Sequence, residues 1–242
     1  MSILRPKLIA FDLDGTLTQH RSPLEEKNRQ VLSQLRQRYA LVMVGAGACQ
    51  RIFRQMGEFP IAIIGNYGMQ QAEYDEEAAA LCLVRSDTVP VDREEVLRRA
   101  AEIRQRFNLH DFAGETLEIH PSGMLTFPVL GTQAAIADKL QYDPDKKKRR
   151  VMYDDVCKLF FDYHVMIGGS SSFDIVPRQY GKRNALLRYA QEKGLSMQDI
   201  LYCGDDYRPG GNDYDVYEGG IPFLKVDDYR AFSQVVQNAG LL

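Results

Sequence analysis

Short apolar segments alternate with amphipathic ones in the first third of the chain. Leu8 to Phe11 is an apolar run that stops at an acidic turn, and Ala40 to Val44 and Ile61 to Ile64 are similar runs. Between Leu24 and Tyr39 apolar residues recur at helical spacing, and Cys49 to Met56 has the same character. Strands that alternate with helices are typical of a parallel sheet with crossover helices. The pattern therefore predicts an α/β core.

The middle of the chain has a different pattern. A charged helical stretch, Arg93 to Arg106, precedes two strand-like runs, Thr116 to Ile119 and Met124 to Val129, with a Pro-Ser-Gly turn between them. A second strand pair is expected at residues 165–167 and 173–176 around two glycines. We interpret this part as an α+β module inserted into the core.

The alternation of strands and helices resumes towards the C-terminus. A helix is expected from Asn184 to Glu192, followed by strands from Ile200 to Cys203 and from Ile221 to Val226. The predicted domains are a core of residues 1–80 and 179–242 and an inserted module of residues 81–178.

Composition narrows the possible functions only slightly. The 242 residues include 30 basic and 33 acidic ones, and the formal charge of -3 gives no strong attraction for nucleic acid or an anionic membrane. An anionic substrate must therefore be held by local charge. The cysteines lack metal-ligand spacing, which indicates free thiols in a reducing compartment; they are Cys49, Cys82, Cys157 and Cys203.

The N-terminal segment Met1 to Lys7 leads into the first strand without the apolar region of a signal peptide. No stretch approaches the roughly 20 apolar residues of a membrane span. We expect a cytoplasmic protein.

Acidic loops follow two predicted strands that are far apart in the sequence. Asp12 and Asp14 end the first strand, and Asp205 and Asp213 lie in the glycine-containing loop after Cys203. In such a turn one carboxylate can be a nucleophile and its neighbour an acid and base. A divalent cation suits these oxygen donors and would offset the repulsion between a carboxylate and a phosphate. Each loop alone is also typical of an ordinary surface turn.

Two further segments could hold an anion. Gly45-Ala46-Gly47 ends the second predicted strand, and its backbone amides are hydrogen-bond donors. Lys182 follows Gly181 at a predicted helix start, where a cation and free amides could hold a phosphoryl group. A lysine at this position is also typical of a solvated surface.

The order of these segments resembles the haloacid dehalogenase superfamily, whose motifs are DxDGT, a small or hydroxylic residue after the second strand, a lysine, and GDxxND. The resemblance covers nearly the whole chain and implies a Rossmann-like, doubly wound parallel core with a C2-type α+β cap. It implies that Asp12 is the nucleophile, Asp14 the general acid and base, and Lys182 the residue that holds the phosphoryl group. The implied Mg²⁺ ligands are Asp12, the Asp14 carbonyl and Asp205, with Asp213 supporting the site.

Within this superfamily the chain looks most like the eukaryotic-type phosphomannomutases, in segments that include Gly123-Met124-Leu125 and Pro209 to Asp213. This likeness implies that Arg21, Ser172 and Asp174 contact a sugar phosphate. One departure concerns the second motif, where Gly45-Ala46-Gly47 carries no hydroxyl. We expect the backbone amides of that loop to bind phosphate in its place.

A second departure concerns the cap. The mutases hold the distal phosphate with cap arginines, but Pro121, Thr132 and Lys139 stand at the matching positions. A mutase must rebind a bisphosphate in reversed orientation, so it needs a second strong phosphate site. The basic run Lys146 to Arg150 could supply replacement charge, although such runs are more often solvated.

We therefore expect a Mg²⁺-dependent phosphatase that acts on a phosphorylated sugar or similar metabolite through an aspartyl-phosphate. A sugar phosphomutase and a non-catalytic sugar-phosphate-binding module are the alternatives. The expected partners are the small phosphate ester and a second copy of the chain bound through the cap, but neither nucleic acid nor a membrane.

Overall fold

The computed structural model describes residues 6–242, so the expectation about the N-terminal segment lies largely outside the described residues. The chain forms two compact units. The first contains the chain up to Ser86, Gly181–Arg208 and Asp213–Leu242, and the second contains Asp87–Tyr180 and Pro209–Asn212. No helix among residues 6–242 is long and apolar enough to cross a membrane. The four cysteines are free.

The first unit begins with a strand that is buried on both faces. Leu8 and Ala10 pack into one apolar cluster, while Ile9 and Phe11 pack into another on the opposite face, because successive side chains of a strand alternate. The elements up to Ser86 are β1 (Leu8–Phe11), α1 (Glu26–Arg36), β2 (Ala40–Val44), α2 (Cys49–Gln55), β3 (Ala62–Gly65), β4 (Gln70–Asp75) and β5 (Ala80–Ser86).

The second unit is a four-stranded antiparallel sheet with helices on one apolar face. The carboxylate of Asp92 caps the first of these helices by accepting a hydrogen bond from the Glu95 amide. The elements are α3 (Arg93–Arg106), β6 (Glu118–Ile119), β7 (Leu125–Pro128), α4 (Ile136–Tyr142), α5 (Lys147–Leu159), β8 (Tyr163–Gly168) and β9 (Ser172–Pro177). The strand order is β6-β7-β9-β8.

The chain then completes the first unit. The remaining elements are α6 (Lys182–Glu192), β10 (Ile200–Gly204), α7 (Tyr214–Glu218), β11 (Phe223–Lys225) and α8 (Phe232–Asn238). The sheet has the order β11-β10-β1-β2-β3-β4-β5. The strands from β11 to β3 are parallel, and β4 and β5 are antiparallel additions.

This arrangement confirms the predicted fold class, a Rossmann-like parallel core with helices on both faces. From β1 the chain proceeds to β2 and β3 on one side, whereas β10 and β11 lie on the other side. Parallel strands that diverge in this way leave a crevice at their carboxyl ends, where ligands of such folds bind. The loops after β1 and β10 lie at that point and carry the acidic residues.

The structure differs from the sequence-based boundaries at β5. The expected module begins at residue 81, but Ala80–Ser86 pairs with β4 in the sheet of the first unit. The apolar pattern does not reveal this hairpin, because β4 has the polar sequence QQAEYD and most residues of β5 are partly or fully exposed.

Candidate active site

A buried lysine joins two of the acidic loops. The Lys182 ammonium, at the start of α6, lies 2.5 Å from Asp12 Oδ1 and 2.7 Å from Asp213 Oδ1. Lys182 and Asp213 have no exposed surface, and Asp12 is 4% exposed. Tyr202, in β10, donates a further hydrogen bond of 2.6 Å to Asp213 Oδ1. The predicted Asp12, Lys182 and Asp213 therefore form one hydrogen-bonded group at the carboxyl edge of the sheet.

Burial and the neighbouring charges together determine the protonation of this group. Burial raises the pKa of Asp12, and the Asp213 and Asp205 carboxylates add to that rise, whereas the ammonium of Lys182 opposes it. Burial alone would lower the pKa of Lys182, but the Asp12 and Asp213 carboxylates raise it above its ordinary value. Burial and Asp213 also raise the pKa of Tyr202, which keeps the phenol protonated as a donor. The two carboxylates thus favour the charged form of Lys182.

The third acidic residue completes a set of oxygen donors. One carboxylate oxygen from each of Asp12, Asp205 and Asp213 lies within 4.8 Å of the others. Thr16 Oγ1 donates to Asp205 Oδ1 at 3.2 Å, and Gly15, at φ +101°, leaves room for that carboxylate, which a Cβ at this position would overlap. Three carboxyl groups meet beside the Lys182 ammonium, and all of these donors are hard oxygens. The residues present therefore fit Mg²⁺.

The Asp14 carboxylate is held separately from this set. Its Oδ1 accepts hydrogen bonds of 2.7 Å from the backbone amide of Arg21 and of 2.7 Å from Nε2 of Gln55, the last residue of α2. His20 Nδ1 lies 3.8 Å from Asp14 Oδ2. The Arg21 side chain itself is exposed. A metal contact by Asp14 is expected from its carbonyl and remains a prediction.

The loop after β2 is tied to the next strand end through its carbonyl groups. The Gly47 carbonyl accepts from the Asn66 amide at 2.8 Å, and the Gly45 carbonyl accepts from the Tyr67 amide at 3.1 Å. This leaves Gly45-Ala46-Gly47 in a defined conformation without a side-chain hydroxyl. The Gly45 amide donates to the Ile64 carbonyl at 2.9 Å, so it is already used in the sheet, and phosphate binding by the amides of Ala46 and Gly47 remains a prediction.

The other two predicted substrate residues belong to the second unit. Ser172 and Asp174 lie on β9, and Ser172 Oγ donates to the Gly168 carbonyl at 3.2 Å. Asp174 is buried, and its carboxylate covers Gly168 so closely that a Cβ there would overlap it. Their contact with a sugar phosphate remains a prediction.

Within the basic run of the second unit, Lys147 and Lys148 are exposed as the composition indicates, but Arg149 is not. Arg149 is 1% exposed. Its Nε donates to Asp143 Oδ2 at 2.9 Å, and its NH1 group donates to the carbonyls of Gly168, Gly169 and Ser172. The guanidinium is committed to the protein interior and does not supply charge to a ligand.

Sequence analysis missed Tyr202 and Gln55. Tyr202 could have been suspected, because a tyrosine in a fully apolar strand normally requires a partner for its hydroxyl. For Gln55 no such signal exists, since it is a polar residue at the end of an amphipathic helix.

Comparison with known sequences agrees with this geometry. The profile of the family described as eukaryotic phosphomannomutase matches residues 28–221, which include Lys182, Asp205 and Asp213. The match begins after Asp12 and Asp14, whose assignment therefore relies on the site itself. A phosphomannomutase of Drosophila melanogaster is 28% identical over 87% of this chain and 85% of its own length. The Saccharomyces cerevisiae phosphomannomutase is 27% identical over 87% of this chain and 84% of its own length.

Solved structures share the fold at low sequence identity. An N-terminally truncated, IMP-bound IMP-nucleotidase of Plasmodium falciparum superposes with a TM-score of 0.74 at 14% identity, over 98% of this chain and 68% of that one. The protein 0175 of Thermoplasma acidophilum superposes with a TM-score of 0.62 at 13% identity, over 98% of this chain and 99% of that one. With a family match over more than half of its length, the chain belongs to the eukaryotic phosphomannomutase family of the haloacid dehalogenase superfamily.

Proposed function

We propose that this protein is a sugar-phosphate phosphomutase that forms an aspartyl-phosphate on Asp12. The observation that supports this most directly is the buried Asp12–Lys182–Asp213 group in a chain of the phosphomannomutase family. Family membership favours the mutase alternative over the phosphatase expected from the sequence. Cytoplasmic localisation and a homodimer through the cap stay predictions.

The proposed reaction uses two carboxylates in turn. A carboxylate oxygen of Asp12 attacks phosphorus, the bond from phosphorus to the ester oxygen breaks, and this oxygen takes a proton from Asp14. Asp14 then accepts the proton of an incoming hydroxyl as the phosphoryl group leaves Asp12. A sugar hydroxyl as acceptor gives an isomeric sugar phosphate, and water gives inorganic phosphate. Lys182 balances the charge of the Asp12 carboxylate before the attack and would hold the phosphoryl group once it is bound to Asp12.

The cofactor that we propose is Mg²⁺, held by Asp12, Asp205 and the Asp14 carbonyl, with Asp213 in support. When bound, it would neutralise charge on the phosphoryl oxygens and on the nucleophile. The proposed substrate is a hexose phosphate, with mannose phosphate the first to test because of the names of the relatives. Arg21, Ser172 and Asp174 are the proposed sugar-phosphate contacts.

Hydrolysis is the second candidate reaction, because Pro121, Thr132 and Lys139 stand where the mutases have the cap arginines that hold the distal phosphate. Lys139 Nζ donates to the Thr132 carbonyl at 2.8 Å, and Thr132 Oγ1 accepts from the Glu115 amide at 2.9 Å. Both side chains thus have partners within the second unit, and Pro121 offers no donor. A weak second phosphate site would favour water as the acceptor.

The deciding experiment uses mannose 1-phosphate with a trace of hexose 1,6-bisphosphate and Mg²⁺. Mannose 6-phosphate and inorganic phosphate are measured from the same reaction. Faster formation of mannose 6-phosphate supports the mutase, whereas faster release of inorganic phosphate identifies a phosphatase. Neither product, together with measurable binding of the sugar phosphate, would indicate the non-catalytic module.

The matched control is Asp12→Asn, in which the side chain keeps its size but cannot form the aspartyl-phosphate. This variant should be folded and should form neither product. Turnover at the wild-type rate would contradict the role of Asp12 in both candidate functions.

A further inference from the structure

The guanidinium of Arg51 occupies the place that a side chain at position 47, in the loop of the second motif, would fill. A Cβ built on Gly47 would overlap NH2, Nε and Cζ of Arg51. The guanidinium therefore packs directly against the backbone of Gly47, in the volume where a serine or threonine at this position would carry its hydroxyl. This packing requires glycine at position 47 as long as Arg51 keeps its conformation.

The same guanidinium is connected to the expected acid and base. Arg51 NH1 donates to Gln55 Oε1 at 2.9 Å, and Gln55 Nε2 donates to Asp14 Oδ1 at 2.7 Å. Arg51 and Gln55 are four residues apart on α2, so they lie on the same face of the helix. One amide thus separates the cation from a carboxylate of the site.

We propose that Arg51 binds the phosphoryl group or the phosphate of the substrate in place of the missing hydroxyl of the second motif. This inference builds on the proposed function. A guanidinium presents five N–H donors in a planar fork that matches phosphate oxygens, and the bond to Gln55 uses one of them. Arg51 is also exposed, so a ligand can reach it without any loss of core packing.

The test compares Arg51→Ala with Arg54→Ala, since both arginines are exposed and lie on α2. Charge-assisted hydrogen bonds to phosphate predict that Arg51→Ala lowers kcat/KM about 10- to 100-fold. The substitution should also weaken the binding of inorganic phosphate by a similar factor, as measured by calorimetric titration in the presence of Mg²⁺. Arg54→Ala should change either quantity less than about twofold, and both variants should keep the wild-type melting temperature.

A second pair of variants tests whether the two side chains replace one another. Gly47→Ser adds a hydroxyl but displaces the exposed end of Arg51, so the contribution of the hydroxyl is measured most directly when Arg51 is absent. The double variant Gly47→Ser/Arg51→Ala should therefore bind phosphate more tightly than Arg51→Ala by about tenfold. Arg51→Lys should lie between wild type and Arg51→Ala, because lysine keeps the charge but not the fork.

Two outcomes would overturn the proposal: equal behaviour of Arg51→Ala and Arg54→Ala, or a double variant that binds phosphate no better than Arg51→Ala. Failure of the proposed function has a different result. In that case the wild-type protein turns over no sugar phosphate, while the calorimetric comparison of the variants still decides the role of Arg51.

Discussion

Asp12 and Asp14 are only two residues apart, yet their side chains have different partners. Asp12 contacts the ammonium of Lys182, whereas Asp14 accepts from a backbone amide and from Gln55. A cationic partner stabilises an anionic nucleophile, while neutral donors mainly fix the direction of a carboxylate. Individual hydrogen-bond partners therefore distinguish the two proposed roles.

The substitution Gln55→Leu should impair the acid function of Asp14. It removes the 2.7 Å donor to Asp14 Oδ1, so kcat should fall about tenfold for a sugar phosphate but less for an aryl phosphate with a good leaving group. Steady-state rates with both substrates measure this difference. Gln50→Leu, at an exposed position of the same helix, is the control. Because Gln55 Oε1 also accepts from Arg51, the losses are compared with those of Arg51→Ala, and equal losses with both substrates that exceed those of Arg51→Ala would count against the proposed link to Asp14.

Glycine 15 offers a second test at the scale of one residue. In Gly15→Ala the new methyl group would overlap the Asp205 carboxylate, so Mg²⁺ binding should weaken at least about tenfold. Gly194→Ala is the matched control for Gly15→Ala, because Gly194 also has a positive φ of +70° but nothing lies within 4 Å of the added Cβ. Both variants should lose about 1–3 kcal/mol of stability through backbone strain. Unchanged Mg²⁺ affinity in Gly15→Ala would refute the proposed place of Asp205.

At the scale of elements, a buried ion pair connects α5 with the β8–β9 turn. Asp143 accepts from the backbone amides of Lys148 and Arg149 and from the Arg149 guanidinium, which also binds carbonyls on both sides of the turn. This turn precedes Asp174, a proposed contact with the sugar. The ion pair thus supports the conformation of a segment that we expect to select the substrate.

The substitution Arg149→Met should reduce the free energy of unfolding by about 3–5 kcal/mol, because it leaves a buried carboxylate and several carbonyls without their cation. Urea denaturation measures the loss, and amide exchange in residues 168–172 should accelerate. Lys148→Met is the control, since the Lys148 side chain is exposed and its backbone amide can still donate to the Asp143 carboxylate. If the two variants were equally stable, the assigned role of Arg149 would be wrong.

At the scale of the whole molecule, the metal-binding set is a product of folding. Asp12 and Asp205 are separated by most of the chain, and their carboxylates come together only when β1 and β10 pair. A ligand that binds only the folded state stabilises it in proportion to the logarithm of its concentration. Mg²⁺ should therefore stabilise the protein as well as support its activity.

We expect the melting temperature to rise with Mg²⁺ and to return to its starting value when a chelator is added. At a free Mg²⁺ concentration of about 100 times the dissociation constant, the free energy of unfolding should rise by about 2.7 kcal/mol. Calorimetry of the wild-type protein and of Asp205→Asn tests this, because the variant lacks one anionic ligand and should show a much smaller shift. An identical shift in both proteins would place the ion elsewhere.

Patterns in the amino-acid sequence are sufficient to predict the alternation of strands and helices in the core, the acidic turns after β1 and β10, and the superfamily. The strands, helices and turns are local features, because apolar runs, helical periodicity and the residues of each motif lie within a few positions of one another. The superfamily follows from the order of these motifs along the chain. Tertiary structure alone decided that Lys182 and Arg149 are buried, that Gln55 meets Asp14, and that β5 joins the large sheet. Burial and strand pairing depend on residues that are distant in the chain. A charged residue that local composition predicts to be solvated, such as Lys182 or Arg149, can therefore be buried in the folded protein.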